Sequence, residues 1–122
     1  MSAELVEKAE RAAASAYAPY SRYLVGAVVR ASDGREFVGV NVESAAYPLG
    51  VCAEKSAIAA AVAAGCRPGE LEAIGITAAP CGGCRQWLHE FAIGVVSYRG
   101  EDGALCTTSA EALLPGAWRL PE

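Results

Sequence analysis

Hydrophobic and polar positions over the first seventeen residues alternate at helical spacing. Leu5, Ala9, Ala12 and Ala16 fall on one side, while Glu4, Glu7, Lys8 and Arg11 fall on the other. The pattern predicts a helix from Ala3 to about Tyr17, capped by Ser2 and stopped by Pro19. The period then changes. "LVGAVVR" and "EFVGVN" are rich in residues that favour strands and flank "ASDG", where Asp33-Gly34 suits the positive backbone dihedrals of a tight hairpin turn. An alanine-rich run from about Cys52 to Ala64 predicts a second helix, closed by Gly65 and apolar around almost its whole circumference. Such a helix is buried on most sides, against a sheet or between subunits.

The second half continues with "EAIGITA" as a buried strand, "CGGCRQWLHEF" as a turn entering a helix, "IGVVSY" as a strand, and "ALCTT" as another after the "RGEDG" turn. Strands alternating with helices there imply right-handed crossovers and parallel pairing. The expected architecture is α/β: a three-layer α-β-α sandwich with a mixed sheet of about five strands. At 122 residues and 53% hydrophobic content, residues 1–122 suffice for one domain with its own core and not for two.

Composition removes several function classes. No run of eighteen apolar residues is present, and the acidic "MSAELVEKAER" is unlike a secretory leader, so no membrane partner and a cytoplasmic location are expected. The net charge is −4 and the positive residues are scattered, which argues against a nucleic-acid partner. Five cysteines with no export signal read as thiols for metal or catalysis rather than as a disulfide framework.

Cys81 and Cys84, two residues apart at a predicted helix start, fit a redox pair, half of a structural zinc site or half of a catalytic one. Cys52 opens the other predicted helix, so both cysteine groups can present thiolates at helix N-termini, where the dipole favours negative charge. Cys66, fourteen positions after Cys52, would lie about 21 Å away along a straight helix and cannot share the metal. Cys106 is open as a fourth ligand, and its presence in the cluster would make the site structural. His89, about 7.5 Å beyond Cys84 along the helix, is read as a structural residue. Three thiols without an evident fourth ligand match a zinc site that keeps a position for water. Glu54, two positions past Cys52, points away from that thiolate but stays in the first turn, where a carboxylate can serve as general acid and base or simply favour the helix dipole.

Cys52-Ala53-Glu54 followed by Pro80-Cys81-Gly82-Gly83-Cys84 resembles the zinc-deaminase signature with cysteine in place of the first histidine. With Arg85-Gln86 following, it is similar to the small homotetrameric, three-cysteine cytidine deaminases. "AYAPYSRYLVGA", "GVNVES", "YPLGVCAE", "PCGGCRQ" and "ALLPGAW" match segments of that family in order, over nearly the whole chain. The resemblance implies hydrolytic deamination of cytidine or deoxycytidine to uridine or deoxyuridine, with one zinc per chain held by Cys52, Cys81 and Cys84 and with Glu54 as proton shuttle. It implies that Asn41 and Glu43 bind the ribose, that Tyr23 rests against the base, that main-chain groups around Ala53 and Pro80 read the amino group, and that Tyr47 and Trp118 contribute to substrate binding. Lys55 and Arg85 would offset the excess negative charge of three thiolates on one zinc. A homo-oligomer, a tetramer by the resemblance, is expected, with the apolar helix as a second ground.

The chain departs from the family's pattern at several positions. Tyr23 stands where Phe is usual, Ser44 where Asn is usual, Lys55 in place of an Arg, and Trp118 in place of a Phe that reaches a neighbouring subunit's site. Only Ala78 and Ala79 separate "AIGIT" from Pro80, where the family carries a longer loop. Enlarged aromatics and a shortened loop set up the alternative substrate, a modified cytosine nucleoside or blasticidin S. Asn41, Glu43 and "AYAPYS" favour the nucleoside.

Overall fold

The computed structural model describes residues 2–121, without the side chain of Ser2, so the capping expected of Ser2 lies outside the described residues. The first helix, α1 (Ser2–Ala12), runs into a 3-10 turn at Ala13–Ser15 and ends earlier than the pattern predicts. The reason is tertiary. The Tyr17 amide donates to Asn41 O at 3.0 Å and Tyr17 O accepts from Glu43 N at 2.8 Å, so Tyr17 is already extended and paired with the chain at Val42. Leu5, Val6 and Ala9 bury the inner face of α1.

Five strands follow: β1 (Gly26–Ala31), β2 (Glu36–Val40), β3 (Leu71–Ile76), β4 (Val95–Arg99) and β5 (Leu105–Thr108), in the sheet order β2-β1-β3-β4-β5. The sheet is mixed, as expected, but parallel pairing is confined to β3 and β4, which the helix α3 (Gly82–Glu90) connects. β5 returns antiparallel to β4 because only the tight turn around Gly100 and Gly103 separates them, too short for a crossover. At the first hairpin, β1 and β2 pair antiparallel, yet of Asp33 and Gly34 only Gly34 has a positive φ, +94°. Gly34 N donates to Ala31 O and Ala31 N to Arg35 O, the geometry of a three-residue loop with a bulge rather than a two-residue turn.

Strand alternation sends Val28 and Ala73 toward Leu5 and Ala9 of α1 on one face. Ala27, Val29, Ile74, Ile76 and Val96 face the other way, onto Ile58 of the second long helix, α2 (Ala53–Ala63), and Leu88 of α3. These are the three layers the pattern predicts. A four-residue helix, α4 (Ala110–Leu113), which the pattern did not predict, is capped by Ser109 Oγ accepting from Ala112 N. An ionic seam joins α1 to the hairpin: Lys8 meets Glu36 at 2.8 Å, and Arg30 meets Glu36 at 2.6 Å and Glu4 at 3.2 Å. Lys8 first, then Arg30, holds the Glu36 carboxyl below its ordinary range.

One contact matters for the site. A Cβ at Gly39 would lie 2.3 Å from Ala57 N and 2.4 Å from Ala53 O, so only glycine lets β2 pass directly beneath α2. That approach fixes the height of the N-terminus of α2 relative to the segment that continues β2.

Candidate active site

Cys52 and Cys81 occupy equivalent places, each the extended residue immediately before its helix, with ψ of 156° and 170°. Neither side chain caps its helix, so both sulfurs are free to turn inward. Cys84 lies within the first turn of α3 and is fully buried. The three Sγ atoms lie within 4.8 Å of one another, with Cys52 and Cys81 at 3.9 Å. Zinc bound tetrahedrally by sulfur at about 2.3 Å requires sulfur separations near 3.8 Å, so the donor set fits this ion in softness and spacing. Cys106, on β5, and His89, on α3, stand outside the cluster; Cys66 is buried against Arg35, whose Nη2 is 3.4 Å from its sulfur.

The thiols differ in character. Burial, then Glu54 and Cys52, pushes Cys84 far up, and burial also raises Cys52. At Cys81 burial acts in the same direction, but hydrogen bonds from the Cys84 amide and from the Cys84 and Cys52 thiols outweigh it and lower the thiol's pKa. Two reluctant thiols at one point are what a divalent cation would stabilise as thiolates.

Glu54, in the first turn of α2, is 4% exposed, and burial pushes its carboxyl above the ordinary range. It lines a cavity of about 280 Å³ together with Cys52 and Cys81. Around the cluster, Lys55 Nζ sits 5.8 Å from the centre of the Trp87 ring, and a Cβ built on Gly83 would be 3.4 Å from that amine and 4.0 Å from Cys81 Sγ. Lys55 Nζ therefore lies by Gly83, at the start of α3, and its charge lowers the Glu54 carboxyl, though less than burial raises it. Arg85 does something more specific: its Nε donates to Pro80 O at 2.9 Å and its Nη1 to Leu113 O at 3.2 Å, tying the entry of α3 to the end of α4.

Across the cavity stand Asn41 and Glu43, either side of Val42, which pairs with Tyr17 and Val51 and so extends β2 by isolated bridges. Both side chains are engaged with the preceding loop. Asn41 Oδ1 accepts from Val25 N and its Nδ2 donates to Tyr23 O, both at 2.9 Å. Glu43 Oε1 accepts from Tyr20 N at 3.0 Å and Ser21 N at 3.1 Å, while Oε2 accepts from Ser21 Oγ. The Ser21 hydroxyl first, then the amides of Ser21 and Tyr20, holds the Glu43 carboxyl low. Each side chain keeps hydrogen-bonding capacity for a further partner.

Ser21, Val25, Ala53, Ala78, Ala79 and Tyr23, 62% exposed, complete the lining of the cavity. Pro80 is buried just behind Ala79 and Cys81, with its carbonyl bonded to Arg85. Tyr47 and Trp118 are not brought to this cavity within one chain. Tyr47, 75% exposed, meets Tyr20 edge to face at 6.0 Å in a neighbouring hollow of about 360 Å³ that shares Ser21 and Glu43. Trp118, 67% exposed, lies in a separate groove of about 540 Å³ with Ala59, Val62, Trp87 and Phe91. Sequence reasoning missed two residues here: Trp87, packed under Lys55, and Ser21, whose only signal is a hydroxyl in the turn-forming "PYSRY" two positions before Tyr23.

Known proteins resemble this chain in sequence and in fold. The family described as the cytidine and deoxycytidylate deaminase zinc-binding region matches residues 1–99. A cytidine deaminase of Sporosarcina psychrophila is 37% identical over 94% of this chain and 89% of its own, and one of Halalkalibacterium halodurans is 37% identical over 93% and 91%. Among solved structures, cytidine deaminase from Burkholderia pseudomallei superposes with a TM-score of 0.90 at 42% identity, covering 97% of this chain and 99% of that one.

Proposed function

Because this chain belongs to the cytidine and deoxycytidylate deaminase zinc-binding family, we propose that it hydrolyses cytidine or deoxycytidine to the uracil nucleoside and ammonia. The observation that carries the proposal is Glu54, a carboxylate 4% exposed that shares one cavity with the thiols of the metal cluster. Cys52, Cys81 and Cys84 would hold one zinc, whose charge supplies Lewis acidity that lowers the pKa of water and makes it a nucleophile near neutral pH. The residues of the chain do the remaining work. Glu54 takes a proton from the water that attacks C4 and delivers it to N3 of the base, then takes the second proton of that oxygen and passes it to the exocyclic nitrogen as the C4–N bond breaks and ammonia leaves. Burial of Glu54 keeps bulk water from competing for that proton.

On the sugar side, Asn41 and Glu43 use their remaining capacity to bind the ribose hydroxyls, and the exposed ring of Tyr23 covers the base. Main-chain groups around Ala53 and Pro80 read the amino group, with Ala53, Ala78 and Ala79 the residues there that line the cavity. The fixed anion at Glu43 suits a neutral sugar with donor hydroxyls and repels a phosphorylated one. The family's match favours the nucleoside over the modified-base or blasticidin S reading.

The chain works as a homo-oligomer, a tetramer by the family resemblance. In support, Ala59, Ala60 and Ala63 expose an apolar side of α2 beside the Trp118 groove. Tyr47 and Trp118, outside the cavity of their own chain, would then serve a neighbouring copy's site. No helix among the described residues is long and apolar enough to cross a membrane, and we assign the enzyme to the cytoplasm. The test is the ultraviolet absorbance of cytidine incubated with zinc-quantified protein, with Glu54→Ala as control. Loss of the cytidine band with the wild type alone supports the proposal; no loss with about one zinc per chain bound removes cytidine as substrate.

A further inference from the structure

The loop from Tyr20 to Val25 carries Tyr23 over the cavity and has an unusual backbone. Arg22 adopts φ +61°, in the left-handed region that residues with a Cβ seldom occupy. Such a conformation persists when the surroundings over-determine it. Here the surroundings are countable. Arg22 N donates to Ala18 O at 2.9 Å, the Ser21 amide is bound by Glu43 and the Tyr23 carbonyl by Asn41, and one side chain links the two halves. That side chain is Ser21. Its hydroxyl donates to Glu43 Oε2 and accepts from Tyr23 N at 3.0 Å, so a single oxygen bridges the sugar-side carboxylate and the peptide of the residue over the base.

We infer that Ser21 is a positioning residue for the sugar end of the site: its hydroxyl aims the Glu43 carboxylate and holds the left-handed turn at Arg22 that sets Tyr23 over the cavity. The inference rests on the deaminase reading above. Two features separate this role from ordinary turn chemistry. A serine that merely stabilised a turn would bond within the turn, whereas this one also reaches a carboxylate twenty-two positions away. Moreover, Ser21 itself lines the zinc-side cavity, so the bridge stands where substrate binds. Asn41 holds the other end of the loop through Tyr23 O and Val25 N, which leaves Ser21 as the link between Glu43 and Tyr23.

Removing the hydroxyl therefore acts on binding more than on chemistry. In Ser21→Ala we expect KM for cytidine to rise about tenfold, the scale of a lost hydrogen bond to a charged group, with kcat changed less than about twofold and with zinc content and native mass retained. The Tyr23 amide, deprived of its acceptor, should exchange with solvent faster, as read by NMR on the zinc-loaded protein. Ser21→Thr, which keeps the hydroxyl, should restore both readouts. Should Ser21→Ala misfold, Ser21→Cys, a weaker donor of similar size, should give an intermediate KM. Unchanged KM or unchanged Tyr23 exchange in Ser21→Ala, beside an active wild type, overturns the role of Ser21 alone. A zinc-loaded wild type without turnover of cytidine overturns the deaminase reading and this role with it.

Discussion

Glu54 and Glu43 line the same cavity and have opposite surroundings. Glu54 is sealed in the first turn of α2, and burial raises its carboxyl; Glu43 is only half-buried, and the hydroxyl and amides of the Tyr20–Ser21 turn lower its carboxyl. In the function proposed above, a pair of carboxylates driven apart in this way divides labour, one placed to move a proton and the other kept as a constant acceptor. The cost of each arrangement falls in a different place. Glu54 depends on the packing of α2 against the sheet, and Glu43 on a loop that it also holds together.

The comparison can be broken most forcefully at Glu54. Glu54→Ala should retain about one zinc per chain and lose kcat by about a thousandfold or more, within the range of a removed general acid and base; equal loss of zinc, measured by metal analysis, would reduce Glu54 to a folding residue. Cys84→Ala should go further in kind, releasing the metal together with activity and lowering the melting temperature, because a buried ligand contributes to folding once zinc is bound. Next in size is Gly39→Ala. The added methyl would meet the backbone of α2 at Ala53 and Ala57, so the melting temperature should fall in proportion to about 1–3 kcal/mol of overpacking, with activity falling as α2 shifts.

Changes at Glu43 should be milder and confined to binding. Glu43→Gln should raise KM for cytidine about tenfold with kcat nearly intact, from loss of charge-assisted hydrogen bonds. The pH dependence sharpens the contrast. Because the folded pKa of Glu43 lies below the ordinary 4.5, its contribution is fully present above that value and disappears only as pH falls through the lowered one. The ratio of KM between Glu43→Gln and wild type should therefore be flat above pH 4.5 and move toward unity only below it. A ratio that changes around neutral pH would contradict the assignment.

The metal half of the site was legible because its residues announce themselves locally. Cys52, Cys81 and Cys84 sit at predicted helix starts, and helix starts are set by nearby glycine, proline and alanine preferences. The sheet, the hairpin and both long helices followed from period and turn residues. The half around Asn41 and Glu43 was less legible. Nothing near Tyr17 in sequence says that its amide belongs to Asn41, so the α1 pattern ran on past Ala12. Nothing near Asn41 says that its amide group clasps Tyr23 and Val25. β5 turned antiparallel because of the length of one connection, which alternation of strands and helices ignores. The contacts of Tyr17 and Asn41 come from pairings about twenty residues apart, a distance over which local propensity carries no information.

Both tryptophans of the chain, Trp87 and Trp118, border one groove on the flank of α3, and both are solvent-exposed. Intrinsic fluorescence of this protein is therefore an optical gauge of what covers that groove, more than of whether the core is intact. In the proposed oligomer, dilution that separates subunits should red-shift the emission while the strands and helices remain, and an investigator who took that signal for unfolding would assign the wrong midpoint to the wrong event.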